Sequence, residues 1–128
     1  MRILARLSLL IFIFFNTSAL IRNDAIIQFS RQDHNIGTIP LKEEVQYGFE
    51  FFKPCKKPLV ISNVKTSCGC TIPEWPRKPI MPGVKGEIKV AYDAPSPGVF
   101  HKTITVYFNG KNSPLDLKIK GKVECTGL

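Results

Sequence analysis

The feature that most constrains the fold of this chain is a two-residue alternation of apolar and polar side chains. It is clearest near the carboxyl terminus, in the stretch that runs from Leu115 to Glu124. The apolar positions there are Leu115, Leu117, Ile119 and Val123, and the charged positions are Asp116, Lys118, Lys120, Lys122 and Glu124. Side chains of a β-strand point alternately to its two faces, so the pattern predicts a half-buried strand.

Similar short stretches occur along most of the chain, and no helical periodicity accompanies them. The predicted strands are 26–29, 35–40, 45–51, 59–64, 88–92, 100–108 and 115–124. Turn signals separate them, the strongest being Asn109-Gly110. Four prolines between Pro73 and Pro82 predict a stiff loop around Trp75. About seven strands with regularly spaced turns predict an all-β fold, an immunoglobulin-like antiparallel β-sandwich.

The amino terminus has the layout of a secretion signal. Arg2 and Arg6 precede the apolar run Leu7–Phe15, and the small residues Thr17-Ser18-Ala19 follow it. We expect residues 1–19 to be a signal peptide and residues 20–128 to form a single domain, secreted or periplasmic after cleavage. The alternative is an uncleaved anchor, but the run is shorter than the roughly 20 residues that span a bilayer. No transmembrane segment is expected in the mature chain.

Two cysteines one residue apart, Cys68 and Cys70, are the main candidates for chemistry. In a regular strand their Cα atoms would be about 6.6 Å apart, which makes a direct disulfide borderline unless Gly69 bends the backbone. A strained small ring would be easily reduced, as in a thiol–disulfide exchanger. The other interpretation is structural: two small buried residues, or a bond from one of them to Cys55 or Cys125.

A metal site is a weaker hypothesis for the same pair. Two thiolates suit a soft ion such as Cu(I), whereas a closed zinc site needs four ligands. The possible additional ligands, namely Cys55, Cys125, His34, His101 and Met81, lack metal-motif spacing to the central pair. No cofactor is therefore expected. Either histidine is a candidate base for a thiol, but a solvated position on a strand or turn is the more usual role.

Lys118, Lys120 and Lys122 form a basic stripe on the last predicted strand. The stripe is either a docking face for an anionic partner or a device that protects a sheet edge from pairing. The chain carries a formal charge of +8, or +6 without the two arginines of the signal. No aromatic residues interleave with the lysines, so nucleic acid is not an expected partner. Trp75 is either a partner anchor or a lid over one end of the sandwich.

A set of residues spread over nearly the whole mature chain resembles a known family. They are Gly37-Thr38-Ile39, Phe49, Phe51, Pro58–Ile61, Ser67–Thr71, Pro73, Trp75, Pro79-Ile80, Pro82-Gly83, Gly86, Gly98–Phe100, Lys102–Ile104, Asn109 and Ile119–Gly121. In this order they resemble the exported bacterial domain of unknown function family 1573, an immunoglobulin-like group of the Hydin type. The chain departs from the family pattern at Lys53 and Cys55, which replace the Asn and Gly of a tight turn, and in the extra Cys125. The resemblance implies the fold and export but no activity.

From these observations we expect an exported, non-enzymatic module that binds or scaffolds other envelope or secreted proteins. The alternative function is thiol–disulfide or copper handling through Cys68 and Cys70.

Overall fold

The computed structural model of the protein describes residues 26–54 and 56–125, and this part of the chain is all-β. Its eight strands are β1 (Gln28–Phe29), β2 (Asp33–Pro40), β3 (Val45–Phe52), β4 (Ile61–Thr66), β5 (Thr71–Glu74), β6 (Lys85–Tyr92), β7 (Gly98–Phe108) and β8 (Leu115–Glu124). No apolar helix of membrane-spanning length occurs among the described residues. The predicted signal peptide and Cys55 lie outside them.

The strands form two four-stranded sheets that face each other, so the predicted sandwich is confirmed. The first sheet has the order β1-β3-β6-β5 and the second has the order β2-β8-β7-β4. One pair departs from the predicted antiparallel arrangement, because β2 and β8 run parallel. After β1 the chain crosses to the second sheet without reversing direction. The main-chain N–H of Lys118 donates to the Gln32 carbonyl oxygen at 2.8 Å, extending this parallel ladder.

Strand β5 is the element that the alternation pattern does not predict. It has four residues, and one of them is Pro73, which cannot donate a ladder hydrogen bond. A proline is tolerated there because β5 is the edge strand of the first sheet, with β6 on its other side. The pairing begins just before β5, where the Asp93 N–H donates to the Cys70 carbonyl oxygen at 3.1 Å.

The core lies between the sheets and consists of the inward positions of each strand. Its fully buried large side chains include Phe49 and Phe51, Ile88 and Val90, Ile104 and Val106, and Leu117, Ile119 and Val123. Each such side chain stabilises the fold by about 1.5–3 kcal/mol relative to an exposed position. These are the faces that the alternation predicts to be inward.

The edges of both sheets are poorly suited to accept another strand. β1 has only two residues, β5 contains Pro73, and the edge strand β2 ends in Pro40. In the edge strand β4, the Asn63 side-chain oxygen accepts the Val64 main-chain N–H at 2.9 Å. Short edges, prolines and side-chain caps are known protections against sheet extension. The lysine stripe is not one of them, because β8 lies between β2 and β7 and has no free edge.

Candidate functional site

The Cys-Gly-Cys sequence forms a turn that carries the chain from the second sheet to the first. The Thr71 N–H donates to the Cys68 carbonyl oxygen at 3.3 Å, which closes the turn. The Thr66 hydroxyl lies 2.9 Å from the Cys68 carbonyl oxygen and 3.0 Å from the Thr71 carbonyl oxygen. Thr71 itself is buried, and its hydroxyl lies 3.6 Å from the Cys68 sulfur. The threonines on both sides of the cysteines therefore hold the turn in place.

The turn is also tied to the long strand β7. Ser67 donates its N–H to the Thr103 carbonyl oxygen at 3.0 Å, and its hydroxyl oxygen accepts the Thr103 N–H at 3.2 Å. Cys70 packs against the hydrophobic core, and both cysteine side chains are partly buried. The geometry is that of a fixed crossover between two sheets.

The two sulfur atoms lie at disulfide distance. The Cα atoms of Cys68 and Cys70 are 5.4 Å apart, closer than two residues of a regular strand would be, because both lie in the turn. Gly69 does not have positive φ, and a Cβ atom added to it would meet nothing within 4 Å. The sequence predicts that the bend depends on the backbone freedom of Gly69. The hydrogen bonds of the flanking residues hold the bend instead.

The described residues around the pair do not form a metal site. No cluster of three or more His, Cys, Asp or Glu side chains suited to a metal occurs in the described part of the chain. Cys125 is an exposed free thiol, next to the end of β8. It is therefore not the partner of Cys68 or Cys70, and that structural alternative is not realised; Cys55 lies outside the described residues.

Trp75 directly follows β5, at one end of the sandwich. Its ring is partly buried and packs against the core, and the Arg77 guanidinium lies over it at 3.6 Å from the ring centre. Its indole nitrogen is buried without a hydrogen-bond partner in the described structure. The loop around Trp75 is stiffened by its prolines, as the sequence predicts.

His34 is on a strand, one of the two positions that the sequence indicated, but it is partly buried rather than solvated. It lies within β2, and its ring stacks on Tyr47 of the opposite sheet at 3.6 Å between ring centres, with 7° between the ring planes. Burial, and to a lesser extent the charge of Arg31, lowers the pKa of His34 below its usual value. This histidine is therefore a packing residue whose protonation is disfavoured in the folded chain. His101, in contrast, is exposed on β7 as expected.

The lysine stripe lies on the outer face of the second sheet. Lys118, Lys120 and Lys122 are exposed, and Lys122 forms an ion pair with Glu124 at 2.8 Å. In the ladder, His101 lies opposite Lys120 and Val99 lies opposite Lys122. The stripe is thus the centre of a face shared by three strands.

A shallow groove crosses this face. It is lined by Asn35, Gly37, Thr38, Val99, His101, Lys120, Gly121 and Lys122. Val99 is 72% exposed, the highest value among the large apolar residues of the described structure. The sequence marks Val99 only as part of the family resemblance and not as a site residue, although its position next to the inward Phe100 makes it an outward apolar residue. The groove therefore combines two lysine cations, the imidazole of His101 and the exposed methyl groups of Val99.

The family model described as "Protein of unknown function (DUF1573)" matches residues 27–123. Among curated proteins, none matches the chain.

Solved structures share the fold at low sequence identity. A protein of unknown function from Porphyromonas gingivalis W83 has a TM-score of 0.69 and 18% identity, over 84% of this chain and 51% of that one. PapD-like domain 7 of human CEP192, an ASH/PapD-like domain, has a TM-score of 0.69 and 5% identity, over 82% of this chain and 89% of that one. The Vibrio cholerae VesB protease has a TM-score of 0.56 and 14% identity, over 80% of this chain and 32% of that one.

This chain therefore spans about half the length of the P. gingivalis protein. At these identities the likeness establishes the PapD-like, immunoglobulin-like fold and nothing about activity.

Proposed function

Because this chain belongs to the DUF1573 family and has a PapD-like fold, we propose that it is an exported, non-enzymatic module that binds or scaffolds other envelope or secreted proteins. The observation that carries the proposal is the groove on the outer face of the second sheet, where Lys120, Lys122 and His101 surround the exposed Val99. A basic groove with an apolar centre fits an acidic segment of a protein partner that carries an apolar side chain.

The proposal favours this face over the sheet edges. A partner strand needs a free row of main-chain N–H and C=O groups, and the edge strands have prolines, a side-chain cap or very short length. A partner that binds through side chains to a rigid sheet face needs none of these groups. The strands beneath the groove are held by the core, so the face is organised before a partner arrives.

A pull-down from envelope extract with charge-reversed variants tests the proposal. The variant Lys118→Glu/Lys120→Glu changes the stripe, and Lys42→Glu/Lys89→Glu makes the same charge change at exposed positions elsewhere. We expect a defined protein to be captured by the natural chain and by the second variant, and to be lost from the first. Equal capture by all three chains would reject this face as the binding site.

A further inference from the structure

Three loops meet at one end of the sandwich and are fastened to one another. They are residues 53–60, 75–84 and 109–114, which connect β3 to β4, β5 to β6 and β7 to β8. Leu59 and Ile80 exchange main-chain hydrogen bonds of 2.9 and 2.7 Å, joining the first two loops. Asn109 joins the third loop to the first, because its side chain accepts the Val60 N–H at 2.9 Å and donates to the Pro58 carbonyl oxygen at 3.0 Å. We call this surface, together with Lys85 at the start of β6, the basic end.

The charges of the basic end are all of one sign. Its exposed cations are Lys56, Lys57, Arg77, Lys78, Lys85 and Lys111, and the sequence of the three loops contains no Asp or Glu. Among the described residues, none of the six has a carboxylate within 4 Å. The ion pair found in this part of the chain joins Lys122 and Glu124. The opposite end carries exposed acids, namely Glu43, Glu44, Asp93 and Glu124, together with the cations Lys42 and Lys122. The charge is therefore polarised along the sandwich.

Most of the exposed large apolar side chains are at the same end. They are Ile26, Phe52, Val60, Met81 and Val84, whereas Ile72 and Val99 lie elsewhere. Ile26 belongs with them because β1 runs antiparallel to β3, which places its first residues beside the end of β3. Cations interleaved with exposed apolar side chains are the combination that binds the interface of an anionic membrane.

The loops are also rigid enough to present these side chains together. Six prolines restrict their backbones, namely Pro54, Pro58, Pro76, Pro79, Pro82 and Pro114. The Gly83 N–H donates to the Lys53 carbonyl oxygen at 3.0 Å, which fixes the tip that carries Met81 and Val84. A surface that is already ordered loses little conformational entropy when it binds.

We propose that the basic end docks the domain onto the surface of a membrane that contains anionic lipid. The cations contact the lipid headgroups, while Met81 and Val84 enter the boundary between headgroups and acyl chains. This orientation points the acidic end, which carries the Cys-Gly-Cys turn, away from the membrane. The proposal is independent of the protein-binding groove, which faces sideways on the second sheet.

The chain contains one tryptophan, Trp75, and it lies in the basic end, so its fluorescence reports contact at this surface. The full chain is mixed with vesicles of equimolar phosphatidylcholine and phosphatidylglycerol, or of phosphatidylcholine alone. We expect a blue shift and quenching by brominated acyl chains with the anionic vesicles, both weakened by high salt. Unchanged Trp75 emission with anionic vesicles would overturn the proposal.

Paired variants distinguish vesicle binding through the basic end from general charge attraction. All variants share residues 1–25, so any lipid binding through that segment would be the same in each of them. Loss of two lysines in Lys56→Gln/Lys57→Gln is expected to weaken binding roughly 30-fold. Lys42→Gln/Lys65→Gln removes the same charge from exposed positions near the opposite end and should have a much smaller effect. An equal loss in both pairs would overturn the proposal.

A second pair of variants tests how much the apolar side chains contribute to vesicle binding. Met81 and Ile72 are both 56% exposed, so Met81→Ser should weaken vesicle binding severalfold and Ile72→Ser should not. A soluble polyanion such as heparin provides the last comparison. If heparin shifts the Trp75 emission as much as anionic vesicles do, and Met81→Ser has no effect on either, the surface recognises polyanions and the membrane proposal is wrong.

Discussion

The neighbours of Gly121 leave no space for a side chain at this position. It lies on β8 opposite Gly37, and an added Cβ would be 2.6 Å from the Gly37 carbonyl oxygen and 2.8 Å from the Phe100 ring. Main chain and a buried ring cannot move away easily. We expect Gly121→Ala to lower the free energy of unfolding by about 1–3 kcal/mol, measured by urea denaturation.

Gly69→Ala is the control for that substitution. Its backbone has no positive φ and its surroundings are open, so the unfolding free energy should stay the same or rise slightly. If Gly69→Ala destabilised the protein as much as Gly121→Ala, the close approach at Gly121 would not be the cause.

His34 should make stability depend on pH. Because its folded pKa lies below the unfolded value of about 6.5, the unfolded chain takes up a proton more readily as the solution is acidified. Stability is therefore expected to fall as the pH drops below about 7, through the pKa of the unfolded imidazole and then that of the folded one. His34→Phe keeps a ring against Tyr47 but cannot titrate. Thermal unfolding of this variant should show a smaller pH dependence, and an unchanged slope would contradict the assignment.

At the scale of elements, most of the fold follows from the sequence and the local details of the turn do not. Two-residue alternation predicts β3, β6, β7 and β8, together with their inward faces. It gives no signal for β5, which is short and contains proline. It also cannot distinguish parallel from antiparallel pairing of β2, because that depends on the direction in which the chain crosses between sheets.

The Cys-Gly-Cys turn depends on contacts that spacing does not reveal. The sequence indicated the cysteine pair and the need for a bend. The bend is held by the Thr66 hydroxyl, which contacts main-chain oxygens within the turn, and by the Ser67 hydroxyl, which contacts the main chain of Thr103 on β7. Thr66→Val removes the hydroxyl with little change of shape, and we expect a loss of about 1–2 kcal/mol. Thr105→Val, which removes a solvent-exposed hydrogen bond to Asp116, should cost less in the same denaturation experiment.

The cysteine pair itself gives a second prediction for this turn. If Cys68 and Cys70 are bonded, the double variant Cys68→Ser/Cys70→Ser should lose about 1–2 kcal/mol in oxidising buffer, the value for a very small ring. The difference from the natural chain should disappear when a reductant is present. Thiol titration of the native protein should leave the pair unreactive. Two fast-reacting thiols at these positions would instead favour the exchange function.

At the scale of the whole molecule, the signal sequence predicts that the domain is exported. Cleavage after Ala19 would leave 109 residues beginning at Leu20. We expect the intact mass and amino-terminal sequence of protein recovered from the envelope or medium to show this form. A control with charged residues placed in the run Leu7–Phe15 should stay unprocessed. Recovery of the uncleaved chain in the membrane fraction would support an anchor instead.

The parallel pairing of β2 with β8 has a consequence for biosynthesis. These two strands lie near opposite ends of the polypeptide, and β8 is the shared neighbour of β2 and β7. A nascent chain that still lacks β8 leaves both of those strands without their central partner. The second sheet can therefore be completed only after β8 has emerged, because until then β2 and β7 have no common neighbour to join them.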